Sequence, residues 1–459
     1  MDTKQTDVVV IGMGPGGEDA AGRLAQAGLH VTGVEAKLVG GEGPYWGCVP
    51  SKMMIRAANL LAEGRRIPGM AGASAVTADW GPVAARIRDE ATDSWDDKVA
   101  VDRFTSTGGH FVRGQGRITG RGEVTVDTDD GARVLLARRG VLVNTGTEPA
   151  IPPVPGLVHT PYWTNREAIE TEQVPESLIV LGGGAVGAEL AQVFARFGAR
   201  VTVVEAALRL LPADEPEAGD LLAGVFEREG ITVRTDTTAE HVSHAGGQFS
   251  VVLAGGQALT AQQLLVATGR RGDLATLGVG AYGLDETART ISVDERMRAA
   301  SGLWAIGDVT GKGAFTHVSM YQAAIATRDI LGQDGPPADY RAVPRVTFTD
   351  PEIGSVGLTG AQARAQGQAV RTGITAVPSS ARGWIHQAGN DGFIKLVEDT
   401  HRGVLVGATS AGPAGGEVLG ALAVAVHGRV PVADLQTMMY AYPTFHRAIE
   451  AALGDLASR

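Results

Sequence analysis

The clearest hydrophobic pattern in the chain occurs twice. Asp7-Val8-Val9-Val10-Ile11 is a short, unbroken apolar run of the kind buried on both faces in a parallel sheet. It leads into Gly12-Met13-Gly14-Pro15-Gly16-Gly17, after which helical spacing predicts a helix from Glu18 to about Gly28 and a second strand over His30–Glu35. The second copy begins with Ser177-Leu178-Ile179-Val180-Leu181 and Gly182-Gly183-Gly184-Ala185-Val186-Gly187. A helix to about Gly198 and a strand over Arg200–Glu205 follow. In both copies the acid stands 23 positions after the first glycine, from Gly12 to Glu35 and from Gly182 to Glu205.

Each part of this unit has a physical task. Gly12, Gly14 and Gly17, and likewise Gly182, Gly184 and Gly187, let the backbone turn tightly and come close to a pyrophosphate at a helix N-terminus. Glu35 and Glu205 can each accept hydrogen bonds from a ribose hydroxyl. Two such units in one chain predict two bound dinucleotides. Glu205 is followed by Ala206 and Ala207, which favours NAD(H), while Arg209 leaves NADP(H) open.

Composition narrows the remaining choices. A chain of 459 residues is long enough for about three domains. A net charge of −11 argues against nucleic acid or an anionic membrane as partner. No apolar run reaches the ~18 residues of a membrane span. The polar Met1–Thr6 stretch leads straight into a strand without the pattern of a secretory signal, so a cytoplasmic location is expected. No metal site is expected. The single cysteine, Cys48, excludes an intrachain disulfide.

That cysteine lies in Gly40-Gly41-Glu42-Gly43-Pro44-Tyr45-Trp46-Gly47-Cys48-Val49-Pro50-Ser51-Lys52, ahead of a helix expected from Ser51 to about Arg66. The stretch resembles the redox segment of the class I pyridine nucleotide–disulfide oxidoreductases, G-G-x-C-x-x-x-x-C-x-P-S-K, the group of dihydrolipoyl dehydrogenase and mercuric reductase. Other segments resemble the same family: Val141-Leu142-Val143-Asn144-Thr145-Gly146, Leu265-Val266-Ala267-Thr268-Gly269-Arg270, Leu303-Trp304-Ala305-Ile306-Gly307-Asp308, and Phe348-Thr349-Asp350-Pro351-Glu352. The resemblance implies an α/β fold with two Rossmann-like dinucleotide-binding domains and a C-terminal α+β dimerisation domain. The expected boundaries are 1–148 and 273–343 for FAD, 149–272 for the nicotinamide nucleotide, and 344–459 for dimerisation.

The resemblance also implies roles. FAD would occupy the first fingerprint, with Gly41, Thr145, Gly146, Gly307, Asp308 and His317 around it, and NAD(H) the second, with Gly269 at the crossing between domains. Cys48 corresponds to the thiol against the flavin, at a helix start where the dipole favours a thiolate. A buried, merely packing cysteine is the competing reading. Lys52 would pair with Glu189 beside the flavin on the nicotinamide side. The active site would be shared across a homodimer.

The chain departs from the family at the thiol-handling side. Gly43 stands where the first cysteine belongs. The H-P-T-x-x-E dyad has become Tyr442-Pro443-Thr444-Phe445-His446-Arg447. A phenol is a poor base at neutral pH, and an arginine cannot orient an imidazole as a carboxylate does. Tyr442, His446 and Arg447 instead offer a hydrogen-bond donor, an imidazole and a cation to a polar or anionic ring. The leading expectation is an NADH-dependent FAD oxidoreductase that serves a small quinone-like or conjugated substrate without a redox disulfide. A second reading has Cys48 cycle through sulfenic acid as a peroxidase or oxidase, or form mixed disulfides with a small thiol. A third is a catalytically silent flavoprotein dimer.

Overall fold

The computed structural model describes residues 2–458. The chain divides into two compact units. One comprises the segment ending at Pro50, Ala85–Ala150 and Arg270–Asp339, and the other Ser51–Ala84, Ile151–Gly269 and the chain from Tyr340 onward.

The first unit is built on an eight-stranded sheet whose main path runs Arg298–Ala300, Leu303–Ala305, Gly131–Val143, Asp2–Ile11, Val31–Glu35 and His110–Arg113. The strand Asp2–Ile11 lies between two parallel neighbours, with Val8 opposite Val31 and Val9 opposite Val141. Val8, Val9 and Val10 are fully buried, which is why the run is apolar without alternation. The strand is longer than the hydrophobic pattern indicates. Its first half, with Thr3, Lys4 and Gln5 exposed, pairs with the outer part of Gly131–Val143 across an irregularity between Thr6 and Val8, so polar residues carry it. The following helix, Pro15–Gln26, starts ahead of the expected Glu18 because Pro15 is preset for a first helical position. The core continues beneath the sheet through Leu274, Leu277, Val279, Tyr282 and Ile291.

The second unit holds a four-stranded parallel sheet in the order Thr232–Arg234, Arg200–Val204, Ser177–Leu181, Gln263–Val266, together with a three-stranded antiparallel sheet. It also holds a five-stranded antiparallel sheet, Pro344–Thr347, Glu352–Gly357, Val404–Gly412, Phe393–Asp399 and Val370–Ala376. Helices Gly415–Gly428 and Ala448–Ser458 bury Leu419, Leu422, Leu453 and Leu456 against this last sheet. Among the described residues no helix is long and apolar enough to cross a membrane.

One polar contact within this unit fixes a helix that matters below. Glu189, Gln192 and Arg196 lie along one stripe of the helix Ala185–Arg196. Together they catch residues 348–350. The Phe348 N–H donates to Glu189 Oε1 at 2.8 Å, and the Asp350 N–H donates to Gln192 Oε1 at 2.8 Å. Arg196, 3% exposed, donates to Asp350 Oδ2 at 2.8 Å and to Glu229 Oε1 at 2.5 Å. Arg66 adds a second cation to Asp350 at 2.6 Å. Removing one partner of a buried network leaves the others uncompensated. Arg196→Ala should therefore lower stability by about 3 kcal/mol. Arg209→Ala, which removes only the exposed Arg209–Asp220 pair, should cost less than ~1 kcal/mol. Denaturant titrations of the two variants measure the difference.

Candidate active site

The two glycine turns have the same geometry. Gly12 adopts φ +91°, and a Cβ there would lie 2.4 Å from the Asn144 carbonyl oxygen. Gly182 adopts φ +107°, with the Ala267 carbonyl oxygen 2.3 Å from such a Cβ. The last glycines answer to helix–strand packing: a Cβ would come within 2.1 Å of the Gly12 oxygen at Gly17 and 1.9 Å of the Gly182 oxygen at Gly187. Gly184 is different, because a Cβ there would meet no protein atom within 4 Å. That open space leaves the backbone of the turn accessible, as a turn that admits a pyrophosphate requires.

Both acids are laced to their turns. Glu35 accepts from the Met13 and Lys37 N–H groups, each at 2.8 Å. Glu205 accepts from Gly183 at 2.6 Å and Ala207 at 2.7 Å. Each carboxylate oxygen keeps a further lone pair for a hydroxyl. Burial raises the Glu35 carboxyl above its ordinary range, against the two N–H bonds that lower it.

In the first unit a polar web surrounds the first turn. Asn144 donates to the Gly12 carbonyl at 3.3 Å and accepts from Ser319 Oγ at 3.1 Å. Ser319 lies on the helix Thr316–Ile330, and a Cβ at Gly16 would stand 2.2 Å from its hydroxyl, so the two helices meet without intervening side chains. Gln322 of the same helix accepts from the Gly307 N–H at 2.6 Å. The Thr147 hydroxyl donates to Asp308 Oδ2 at 2.8 Å, while Arg270 donates to the Thr147 hydroxyl at 2.9 Å. Burial pushes the Asp308 carboxyl up, and the Thr147 hydroxyl and Arg270 guanidinium oppose it. Asn144, Thr147, Arg270, Ser319 and Gln322 were given no role from sequence. Asn144 and Arg270 stand inside quoted segments and Thr147 directly follows one, but the pairing of all five is long-range. Thr145 is exposed, Gly146 adopts φ +65° and Gly269 φ +113°, both open to a Cβ, and the exposed His317 ring stacks on Phe315 with centroids 5.1 Å apart.

Cys48 is the first residue of the helix Cys48–Arg66, which corrects the expected start at Ser51. Pro50 falls in the first turn, where its missing N–H would have no partner anyway. The thiol is exposed rather than packed in a core, and Sγ lies 3.5 Å from the Thr316 hydroxyl. Gly41 is required, since a Cβ would stand 2.9 Å from Gly14 Cα. Gly43 is not. A Cβ there would make only ordinary contacts, 3.6 Å from Thr316 Oγ1 and 3.7 Å from Pro15 Cγ.

In the second unit Lys52 Nζ lies 2.7 Å from Glu189 Oε2. Glu189 is 5% exposed, and the Phe348 ring sits under the ammonium at 4.6 Å. Tyr442, 71% exposed, carries the Arg447 guanidinium over its ring at 5.5 Å. His446 is turned elsewhere, with Nε2 at 3.4 Å from the Thr444 hydroxyl and its ring 6.3 Å from Tyr440. The structure thus joins Tyr442 to Arg447 without His446. Among the described residues no group of three or more His, Cys, Asp or Glu is placed to hold a metal ion.

Residues 6–325 match the pyridine nucleotide-disulphide oxidoreductase family, and residues 343–453 match its dimerisation domain. The chain belongs to this family. It is 34% identical to a mercuric reductase of Acidithiobacillus ferrooxidans, over 98% of this chain and 82% of that one. It is also 34% identical to a dihydrolipoyl dehydrogenase of Chlorobaculum tepidum, over 98% and 97% of the two chains. Among solved structures, the HOCl-induced flavoprotein disulfide reductase RclA of Escherichia coli superposes with a TM-score of 0.85 at 25% identity, covering 98% of this chain and 99% of that one. LpdA of Mycobacterium tuberculosis does so with 0.85 at 27%, over 98% and 99%.

Membership makes the chain an oxidoreductase of a family that uses FAD and NAD(P)H. The two glycine turns and their acids fit two dinucleotides, and the bare Gly184 is the observation that speaks for a ligand. Gly184→Ala should therefore fold with an unchanged melting temperature and raise KM for the nicotinamide nucleotide at least about tenfold, ~1.4 kcal/mol. Gly187→Ala, with its backbone clash, should lower the melting temperature itself. Thermal melts beside NADH titrations separate the two.

Proposed function

We propose that this protein takes hydride from NADH and delivers two electrons to a small conjugated acceptor, with a quinone as the simplest case, without a thiol relay. When bound, FAD supplies the two-electron carrier between donor and acceptor. One observation carries the reading: the Lys52–Glu189 pair is assembled at 2.7 Å while the positions that handle thiols hold Gly43, Tyr442 and Arg447.

The residues divide the work as follows. Gly12, Gly14, Gly17, Glu35, Gly41, Thr145, Gly146, Gly307, Asp308 and His317 hold FAD. Gly182, Gly184, Gly187, Glu205 and Gly269 hold the nicotinamide nucleotide. Glu205 supports NADH over NADPH, because its carboxylate suits a ribose hydroxyl and repels a 2′-phosphate, and Arg209 is engaged with Asp220. The Phe348 N–H and Lys52 both satisfy Glu189, so the ammonium is held in place during hydride arrival. Tyr442 and Arg447 contribute a donor and a cation toward the acceptor. Trp384, Met439 and Tyr442 leave apolar surface exposed on the dimerisation domain, which a second copy would cover.

The exposed Cys48 thiol beside the Thr316 hydroxyl favours a second reading. In it the sulfur is oxidised by a peroxide to sulfenic acid and returned to thiol by NADH-derived electrons.

Anaerobic stopped-flow distinguishes the readings. NADH should bleach the flavin with two electrons, and a quinone should restore it rapidly. Lys52→Met should slow the bleaching by at least about tenfold, ~1.4 kcal/mol of barrier, with FAD content unchanged. Cys48→Ser should leave quinone turnover intact, and its loss of turnover would move the assignment to the thiol reading. A flavin that stays oxidised with NADH and NADPH alike would overturn both.

A further inference from the structure

Each glycine turn is gripped by a loop that returns to it after the second strand of its unit. In the first unit the Met13 N–H donates to Glu35, and the Met13 carbonyl accepts from the Gly40 N–H at 2.7 Å. In the second the Gly183 N–H donates to Glu205, and the Gly183 carbonyl accepts from the Leu211 N–H at 2.9 Å. A trans peptide is planar, so holding the carbonyl of Met13 or Gly183 aims the next N–H, that of Gly14 or Gly184, in the opposite direction. Those N–H groups stand at the starts of the helices Pro15–Gln26 and Ala185–Arg196, where a phosphate is received.

A buried aspartate and an arginine hold each return loop. Asp97, whose side chain is 10% exposed, accepts from the Val39 N–H at 2.6 Å. Arg113 pairs with Asp97 at 2.5 Å and also donates to the Lys37 carbonyl. In the second unit the aspartate lies on the loop itself. The Asp214 N–H donates to the Leu211 carbonyl at 3.0 Å. Its side chain, 9% exposed, accepts from Arg345 Nε at 2.9 Å and from the Ser355 hydroxyl at 2.5 Å. Arg345 also donates to the Ala213 carbonyl at 3.3 Å. Leu211 adopts φ +50°, a conformation that persists only where the surroundings impose it. Leu210 is buried against the turn, since a Cβ at Gly183 would stand 2.5 Å from its Cδ2.

We infer that Asp97 with Arg113, and Asp214 with Arg345, are positioning residues for the two dinucleotides. The first pair sets the affinity for FAD and the second that for the nicotinamide nucleotide, each through the return loop and the peptide it holds. The inference rests on the assignment of the two turns to these nucleotides. With the aspartate gone, the loop loses its anchor and the turn is no longer preorganised, so ordering it is charged to the binding step. The two clamps share a logic but not their parts. Asp97 precedes the helix Lys98–Ser106, whereas Arg345 and Ser355 belong to the five-stranded sheet of the second unit. Through them the dimerisation domain enters nucleotide binding.

The test measures both nucleotides on the full-length FAD-loaded protein. Calorimetry reads the affinity for NAD+, which leaves oxidised flavin unchanged, and fluorescence reads the flavin released on dilution. Asp214→Ala and Arg345→Met should each raise the NAD+ Kd at least about fivefold, the size of one net hydrogen bond, with FAD release unchanged. Asp97→Ala should speed FAD release at least about fivefold, with the NAD+ Kd unchanged in saturating FAD. Asp214→Asn, Asp97→Asn and Arg345→Lys keep part of the hydrogen bonding and should fall between these variants and the wild type. They serve as the measurement where a larger substitution fails to fold. Arg371→Met removes only the partner of the buried Glu398, and should lower the melting temperature with both affinities unchanged. The inference is overturned if the Asp214 and Arg345 variants keep the wild-type NAD+ Kd, if any clamp variant loosens both nucleotides alike, or if Arg371→Met weakens NAD+ as much as Asp214→Ala does. A wild type that binds neither NAD+ nor NADP+ would overturn the assignment of the second turn itself, and the inference with it.

Discussion

Neither glycine turn could exist with a side chain at its first position. At Gly12 and Gly182 the carbonyl oxygen of a neighbouring strand end, Asn144 or Ala267, occupies the place a Cβ would take. The positive φ at each point opens a turn of only three residues from strand into helix. The rest of each unit follows from that turn. It lets the helix lie close enough for Gly17 and Gly187 to touch the turn, and it brings Glu35 and Glu205 back to receive N–H groups from the loop they face. The same close approach that makes a dinucleotide cradle thus makes the parallel core compact.

Around this frame the chain is uneven in a chemically meaningful way. Glu189 is held by a backbone N–H and an ammonium, on a helix clamped by Gln192 and a buried arginine network. A buried carboxylate with such partners is costly to disturb. The contrast is Gly43. Nothing in its backbone or surroundings demands glycine, so the missing sulfur there is no by-product of folding. Tyr442 is exposed, and the half-buried Arg447 lies over its ring while it bonds the Tyr440 carbonyl and Glu450.

Much of this was readable in one dimension. The two dinucleotide turns followed from the spacing of glycines and acids, because a βαβ unit is local and its requirements fall within about thirty residues, while the family and its fold class followed from the resemblance of Gly40–Lys52 and the other quoted segments. The odd positions Gly43, Tyr442 and Arg447 were visible for the same reason, each set within a short motif. Helix starts were less visible. Pro15 and Pro50 suit a first turn, yet a proline also reads as a break, and so Cys48 was placed outside the helix it begins.

By itself, then, the sequence determined what depends on neighbours along the chain: two dinucleotide turns, their acids, one thiol without a partner, and a rebuilt C-terminal motif. The tertiary structure alone decided what depends on residues far apart in number. Asn144 meets Ser319, Thr147 meets Asp308, and the Phe348 N–H meets Glu189, across separations of 175, 161 and 159 positions. No periodicity marks such pairs, because each residue is a common polar or aromatic type in an ordinary local context.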